Sequence, residues 1–128
     1  MSKKLLIIDD DEEMCTELKE ILTDEGYDVS VSFNGRKGIE LMTRERYGVV
    51  VLDLKLPELD GYTVLKTVKH SPNAPRIIVL SGRPINTALN GPNSLQDEEE
   101  KTLNLADAVM NKPVIIPLLL EKIRQRVE

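Results

Sequence analysis

Four aspartates occupy positions from which their side chains could do chemistry together. Asp9, Asp10 and Asp11 directly follow one run of apolar residues, and Asp53 ends another. If the two runs are neighbouring parallel strands, their carboxyl ends meet at one rim of a sheet, where open α/β proteins bind ligands. Three carboxylates within about 5 Å would repel by roughly 3 kcal/mol per pair at an effective dielectric of 20. Such a group needs a cation to offset the repulsion.

Mg²⁺ is the cation that suits an acidic group of this kind. It takes oxygen ligands, keeps several waters, and is typically held by one or two carboxylates together with a phosphate oxygen. A carboxylate beside it can accept a phosphoryl group as an aspartyl phosphate. A simpler interpretation is that Asp is common in loops and caps helices, and this fits Asp11, which precedes an amphipathic pattern. The shared location of Asp9, Asp10 and Asp53 favours an acidic site.

Strands and helices alternate in the pattern that would position these residues. Three of the apolar runs are continuous, as expected for strands covered by helices on both faces. The predicted strands are 5–8, 29–31, 49–52, 77–80 and, more weakly, 108–110. The order βαβαβαβαβα indicates an α/β domain with a parallel sheet, right-handed crossovers and helices on both faces.

Helix signals fill the segments between the strands. The first helix begins after Asp11 and stops at Gly26, Asn34 can cap the second, and the third follows Gly61. Pro117 suits the first turn of the last helix. The side chains predicted to face inward are Met14, Leu18, Ile21, Leu22, Ile39, Met42, Val64, Leu65, Val68, Leu119, Ile123 and Val127.

The stretch 83–107 fits this alternation least well. Its proline and glycine residues interrupt any helix that starts early, whereas Ser94 and Asp97 have the spacing of a capping box for a fourth helix. The acidic residues that follow would then lie at the positive end of that helix, which favours a solvated helix start over a binding patch. We predict one domain over residues 1–128 with an atypical extended segment at 83–107.

Charge and cysteine content exclude several classes of function. The 128 residues carry 17 Lys and Arg against 22 Asp and Glu, a net charge of −5, which argues against direct nucleic-acid binding. Cys15 is the only cysteine, so an intramolecular disulfide is excluded and a buried, unreactive thiol is favoured. No run approaches the roughly 20 apolar residues of a membrane span. The apolar run near the N-terminus is also too short for a secretory signal. We expect a cytoplasmic protein without membrane contact.

Four segments together resemble the receiver family of two-component response regulators. They are Ile8-Asp9-Asp10, the stretch 53–61, Ser81-Gly82 and Lys112-Pro113. The resemblance covers nearly the whole chain apart from 83–104, and the combined pattern is highly specific. It implies the flavodoxin-like strand order 2-1-3-4-5. It also implies a signalling domain rather than an enzyme, phosphorylated by a sensor histidine kinase or a histidine phosphotransfer protein and acting on an unknown downstream protein.

The resemblance also assigns the metal-binding roles. Asp53 corresponds to the phosphoacceptor, and Asp10 and Asp53 correspond to direct Mg²⁺ ligands. The backbone carbonyl of Lys55 would be a further ligand, and Asp9 would act on the metal through water.

Two residues correspond to the family's phosphoryl contacts. Ser81 matches the hydroxyl that moves to bond the phosphoryl oxygens. Lys112 matches the cation that pairs first with Asp53 and then with the phosphoryl group. The Lys112–Pro113 bond is expected to be cis.

The sequence departs from the family on the output side. Val109 stands where receivers usually place an aromatic residue that rotates on phosphorylation. Leu105 replaces a usual glycine, although Asn104 could supply a left-handed turn. We therefore predict intact phosphorylation chemistry with an unusual readout near the fourth helix and fifth strand.

Three other functions compete with this prediction. A degenerate receiver would be a protein-interaction module that is never phosphorylated, which the intact site residues oppose. An aspartate-nucleophile phosphatase needs a second aspartate at the place of Lys55, and a flavin phosphate would be repelled by Asp9, Asp10 and Asp11.

His70, the only histidine, is interpreted as a cation at a helix end. We expect a monomer or weak dimer, in which Leu118 could join the dimer surface.

Overall fold

Five parallel strands form one sheet in the computed structural model, which describes residues 3–71, 74–82 and 101–127. The order β2-β1-β3-β4-β5 confirms the predicted order 2-1-3-4-5. Each strand extends its predicted run by at most one residue at either end. The bounds are β1 Lys4–Ile8, β2 Asp28–Ser32, β3 Val49–Asp53, β4 Arg76–Ser81 and β5 Ala108–Asn111.

The predicted caps Asp11 and Asn34 are confirmed, and Asp60, which was not predicted as a cap, starts the third helix. Asp11, Asn34 and Asp60 each accept a hydrogen bond from the backbone N–H three residues later, at 3.1, 2.8 and 2.9 Å. Gly26 adopts the left-handed conformation after the first helix, with φ of 96°. The bounds are α1 Glu12–Asp24, α2 Gly35–Arg44, α3 Gly61–Lys69, the helical residues 101–103, called α4, and α5 Ile116–Val127.

The sheet has a hydrophobic core on each face, because successive strand residues point in opposite directions. One core joins α1 and α5 to the face that carries Leu5 and Ile7, and the other joins α2 and α3 to the face that carries Leu6 and Ile8. All five residues of β3 are buried. The predicted inward side chains are buried or partly buried, and Cys15 is buried as expected.

Two predictions about the output side have different outcomes. Most of the fourth helix predicted after Ser94 lies outside the described residues. The left-handed turn proposed for Asn104 is wrong, since Glu58 is the one non-glycine residue with positive φ in the described part of the chain.

Among the described residues, no helix is long and apolar enough to cross a membrane.

Candidate functional site

The register of β1 and β3 brings the predicted acids together. Ile8 is opposite Leu52, so the residues that follow them, Asp9 and Asp53, emerge side by side at the carboxyl rim of the sheet. One carboxylate oxygen each from Asp9, Asp10 and Asp53 lie within 4.8 Å of one another. Asp9 and Asp53 are 1% and 4% exposed, whereas Asp10 is open to solvent. The result is a buried acidic pair with one accessible carboxylate beside it.

Lys112 enters this group from the end of β5. Its Nζ lies 2.9 Å from Asp9 Oδ2 and 3.5 Å from Asp53 Oδ1. Among the described residues it is the only cation that forms an ion pair with these acids. Its nearer partner is Asp9, not Asp53, which the sequence did not indicate.

The charges at the site perturb one another. Burial and then the neighbouring charge of Asp9 raise the pKa of Asp53, and the attraction of Lys112 and the Lys55 N–H offset this only in part. Burial alone would lower the pKa of Lys112, but its contacts with Asp9 and Asp53 outweigh burial and raise it. Three acids share one cation, so a further positive charge would be stabilised here.

Backbone N–H groups hold two of the carboxylates in place. The Asp11 N–H donates to Asp9 Oδ1 at 3.0 Å, and the Lys55 N–H donates to Asp53 Oδ1 at 3.3 Å. The side chain of Lys55 itself is exposed beside the site. Each buried acid is therefore oriented by the loop that follows its own strand.

The loop between β3 and α3 folds back onto the end of β3. The Gly61 N–H donates to the Leu54 carbonyl at 2.9 Å, and a Cβ on Gly61 would lie 2.5 Å from Leu54 Cα and clash with the Asp53 carbonyl oxygen. Only glycine allows so close an approach. Glu58, in the same loop, has φ of 66°, a conformation that favours glycine or asparagine. Sequence reasoning treated Gly61 only as a helix start and did not detect this contact.

Ser81 lies on the same rim, at the end of β4. It is 4% exposed, and its carbonyl accepts the Lys112 N–H at 2.7 Å. This bond joins the ends of β4 and β5 beside the acidic group. The Lys112–Pro113 peptide bond is cis, as expected. The structure thus brings Ser81 and Lys112 to the rim that carries Asp53.

Cys15 on α1 contacts the backbone of the acidic loop, which the sequence did not indicate. Its Sγ lies 3.4 Å from the Asp9 carbonyl oxygen. Burial, followed by the charges of Asp9 and Asp11, raises the pKa of Cys15 to about 12. The thiol therefore stays protonated at neutral pH and donates a weak hydrogen bond to this carbonyl.

The donor set fits a hard divalent cation. Three carboxylates converge, the one from Asp10 is open to solvent, and a single lysine leaves their charge only partly balanced. Oxygen donors with room for water are what Mg²⁺ requires. The pocket is suited to phosphoryl acceptance with Mg²⁺.

Comparison with known proteins gives a consistent result. The family model of the response regulator receiver domain matches residues 5–91. Sporulation initiation phosphotransferase F of Bacillus subtilis is 35% identical over 81 residues, which are 63% of this chain and 65% of that protein. The chain spans between 43% and 65% of the length of the first curated relatives it matches, several of which are transcriptional regulatory proteins.

Solved structures have the same fold. A response regulator receiver domain protein from Methanospirillum hungatei superimposes with a TM-score of 0.83 at 29% identity, covering 99% of this chain and 94% of that one. The response regulator TrrA from Thermotoga maritima, solved in complex with Mg²⁺-BeF, superimposes with a TM-score of 0.79 at 23% identity, covering 98% of each chain. With a family match over more than half of its length, this chain belongs to the response regulator receiver domains of two-component systems.

Proposed function

We propose that this receiver domain accepts a phosphoryl group on Asp53. The observation that carries the proposal is the position of this buried carboxylate beside Asp9, Asp10 and Lys112. Its Oδ1 accepts the Lys55 N–H at 3.3 Å and lies 3.5 Å from Lys112 Nζ.

Mg²⁺ would be held by Asp10, Asp53 and the backbone carbonyl of Lys55, with Asp9 acting through water. When bound, it supplies positive charge that offsets the clustered carboxylates and the oxygens of the phosphoryl group. The convergence of the three acids supports this assignment. So does the structural similarity to TrrA, which has been solved with Mg²⁺-BeF.

The phosphoryl donor would be a phosphohistidine on a sensor histidine kinase or a histidine phosphotransfer protein. A carboxylate oxygen of Asp53 attacks the phosphorus, the P–N bond to imidazole breaks, and the imidazole leaves and regains a proton. Lys112, already within 3.5 Å of Asp53, then pairs with the phosphoryl oxygens, and Ser81 donates its hydroxyl hydrogen to one of them. The acyl phosphate is the signalling state, and the domain is not a turnover enzyme.

Incubation with acetyl phosphate and Mg²⁺, followed by intact-mass measurement, tests the nucleophile. The wild-type chain should gain one phosphoryl group, Asp53→Asn should gain none, and Asp11→Asn should behave as wild type because Asp11 caps α1. A wild-type chain that stays unmodified, or an Asp53→Asn chain that is modified, would overturn the proposal. The first result would favour the degenerate receiver, for which no observation speaks at present.

Mg²⁺ titration followed by NMR amide shifts tests the metal site separately. Wild type should show saturable shifts at residues 9–11 and 53–55, and Asp10→Asn should weaken binding at least tenfold through loss of a ligand. Equal Mg²⁺ affinity in wild type and Asp10→Asn would contradict the ligand assignment.

The output surface is proposed to lie near α4 and β5. Val109, at the position of the usual aromatic residue, is 39% exposed and offers no ring to rotate. If this surface responds to phosphorylation, adding a beryllofluoride phosphate mimic with Mg²⁺ should change the NMR amide shifts of β5 and Val114. Unchanged amide shifts there would count against this surface. A single domain over 1–128, its segment 83–107 and a monomer or weak dimer remain predictions.

A further inference from the structure

Ser81 and Asn111 are register partners at the ends of β4 and β5. Partnered residues on parallel strands point to the same face, and neighbouring strands lie about 4.8 Å apart. Leu80 and Met110, one residue earlier on each strand, belong to the core covered by α1 and α5. Ser81 and Asn111 therefore both face the opposite side, within reach of one another.

Asn111 is the polar group that β5 presents on this face. The strand has four residues, of which Ala108 and Met110 point into the α1 and α5 core, and Val109 and Asn111 point away from it. Val109 has no polar atom. Asn111 is exposed, and its amide supplies two N–H donors and one acceptor.

The backbone fixes this amide relative to the phosphoryl site. The Lys112 N–H donates to the Ser81 carbonyl at 2.7 Å. This backbone hydrogen bond couples the position of Lys112, the residue after β5, to that of Ser81. Lys112 Nζ in turn lies 2.9 Å from Asp9. Ser81, Asn111 and Lys112 thus form one unit beside the acids.

We propose that Asn111 is a positioning residue that orients the Ser81 hydroxyl toward a phosphoryl group on Asp53. A serine hydroxyl has one donor and two acceptor sites. When Ser81 Oγ accepts an N–H from the Asn111 amide, its own hydrogen is directed to the phosphoryl oxygen, and each hydrogen bond strengthens the other. The inference rests on the proposed function and names a residue through which β5 responds to phosphorylation without an aromatic residue at 109.

Beryllofluoride binding in the presence of saturating Mg²⁺ tests this role, with Mg²⁺ binding alone as a second readout. Asn111→Ala should weaken beryllofluoride binding by roughly threefold to tenfold, the effect of one lost hydrogen bond, and leave Mg²⁺ affinity unchanged. Asn111→Asp should be weaker still, since a carboxylate cannot donate and repels the mimic. Asn111→Gln, which keeps the amide, should recover part of the loss. The matched control is Asn104→Ala, an exposed asparagine in the turn that precedes β5.

A double-mutant cycle completes the test. In a Ser81→Ala background, Asn111→Ala should have no further effect, because the amide acts only through the hydroxyl. Wild-type affinity for beryllofluoride in Asn111→Ala, or an equal loss of Mg²⁺ and beryllofluoride binding, would overturn the inference while the proposed function stands. If the wild-type chain binds no beryllofluoride with Mg²⁺, the proposed function fails first and the inference with it.

Discussion

Asp53 carries a charge that the metal-free fold compensates only in part. Burial and the charge of Asp9 raise its pKa, and Lys112 lies closer to Asp9 than to Asp53. A carboxyl whose pKa is higher in the folded state stabilises the fold while protonated, below its usual pKa of about 4, and this contribution is lost as pH rises through the folded pKa. At neutral pH the ionised side chain therefore destabilises the metal-free protein.

Asp53→Asn should raise the free energy of unfolding of the metal-free protein by about 1 kcal/mol at pH 7, because it removes that buried charge. The gain should shrink as pH falls to about 4 and the wild-type carboxyl becomes protonated. Urea unfolding in EDTA at both pH values measures it, with Glu17→Gln, an exposed acid on α1, as the control. A less stable Asp53→Asn variant at pH 7 would contradict this account of the charge.

The backbone of Glu58 has an unfavourable conformation, because its φ of 66° brings Cβ close to the following carbonyl oxygen. Its ion pair with Arg36 spans 3.9 Å between exposed side chains and contributes little.

Glu58→Gly should stabilise the protein by about 0.5 to 1 kcal/mol, because glycine relieves the backbone strain. Glu58→Ala is the matched control, since it removes the ion pair but keeps the strain, and its stability should stay close to wild type. Thermal unfolding with Mg²⁺ distinguishes the two variants. Equal stabilities for Gly and Ala at this position would refute the strain.

At the scale of elements, the local signals in the sequence were sufficient for most of the fold. Continuous apolar runs located the strands, and Asp11, Asn34 and Gly26 marked helix ends, because caps and left-handed turns depend on neighbouring residues alone. The acids of the site followed from their positions at strand ends. Ser81 and Lys112 were ambiguous taken singly and needed the resemblance to the receiver family.

Contacts between elements were the part that could not be predicted. The pairing of Lys112 with Asp9, the contact of the Cys15 thiol with the Asp9 carbonyl, and the approach of Gly61 to Leu54 all depend on how one element is placed against another. The left-handed turn assigned to Asn104 failed for the same reason, since the tertiary path after α4 decides the backbone there.

The junction of β3 with α3 gives a prediction at this scale. Gly61→Ala would push the start of α3 away from Leu54 and the Asp53 carbonyl, so it should destabilise the protein by about 2 kcal/mol and slow acetyl phosphate labelling. The matched control is Gly82→Ala, where a Cβ meets nothing within 4 Å among the described residues, and its stability should stay near wild type. A Gly61→Ala variant as stable as wild type would show that the junction can relax.

For the whole molecule, Asp107 ties several elements together at the rim opposite the acidic site. Its Oδ2 accepts from Lys69 Nζ at 2.8 Å and from the Ile77 N–H at 2.7 Å, and Arg76 lies 3.5 Å from Oδ1. Arg126, near the end of α5, donates to the Asp107 carbonyl at 2.8 Å. One residue thus connects the end of α3, the start of β4 and the last turn of α5.

The same residue immediately precedes β5, and Lys112, which reaches into the acidic pocket, immediately follows that strand. β5 is therefore held by ionic contacts at both rims of the sheet. Loss of the Asp107 contacts would loosen the far end of the strand while the acids of the site keep their own partners. Asp107 consequently contributes to the stability of the fold, and its pKa in the folded protein determines the pH range over which that contribution is present.

Asp107→Asn should lower the free energy of unfolding by about 2 kcal/mol at pH 7, since an amide keeps the Ile77 hydrogen bond but loses the ion pairs. Burial alone would raise the pKa of Asp107, but Lys69, the Ile77 N–H and Arg76 together lower it. A lowered folded pKa gives stability that is present above the usual pKa of about 4 and is lost as pH falls through the folded value, so the difference from wild type should shrink in acid. Urea unfolding at pH 7 and pH 3 measures this, and Asp28→Asn, an exposed acid at the start of β2, should change little at either pH. A difference that stays constant between the two pH values would mean that Asp107 acts through packing and hydrogen bonding rather than through its charge.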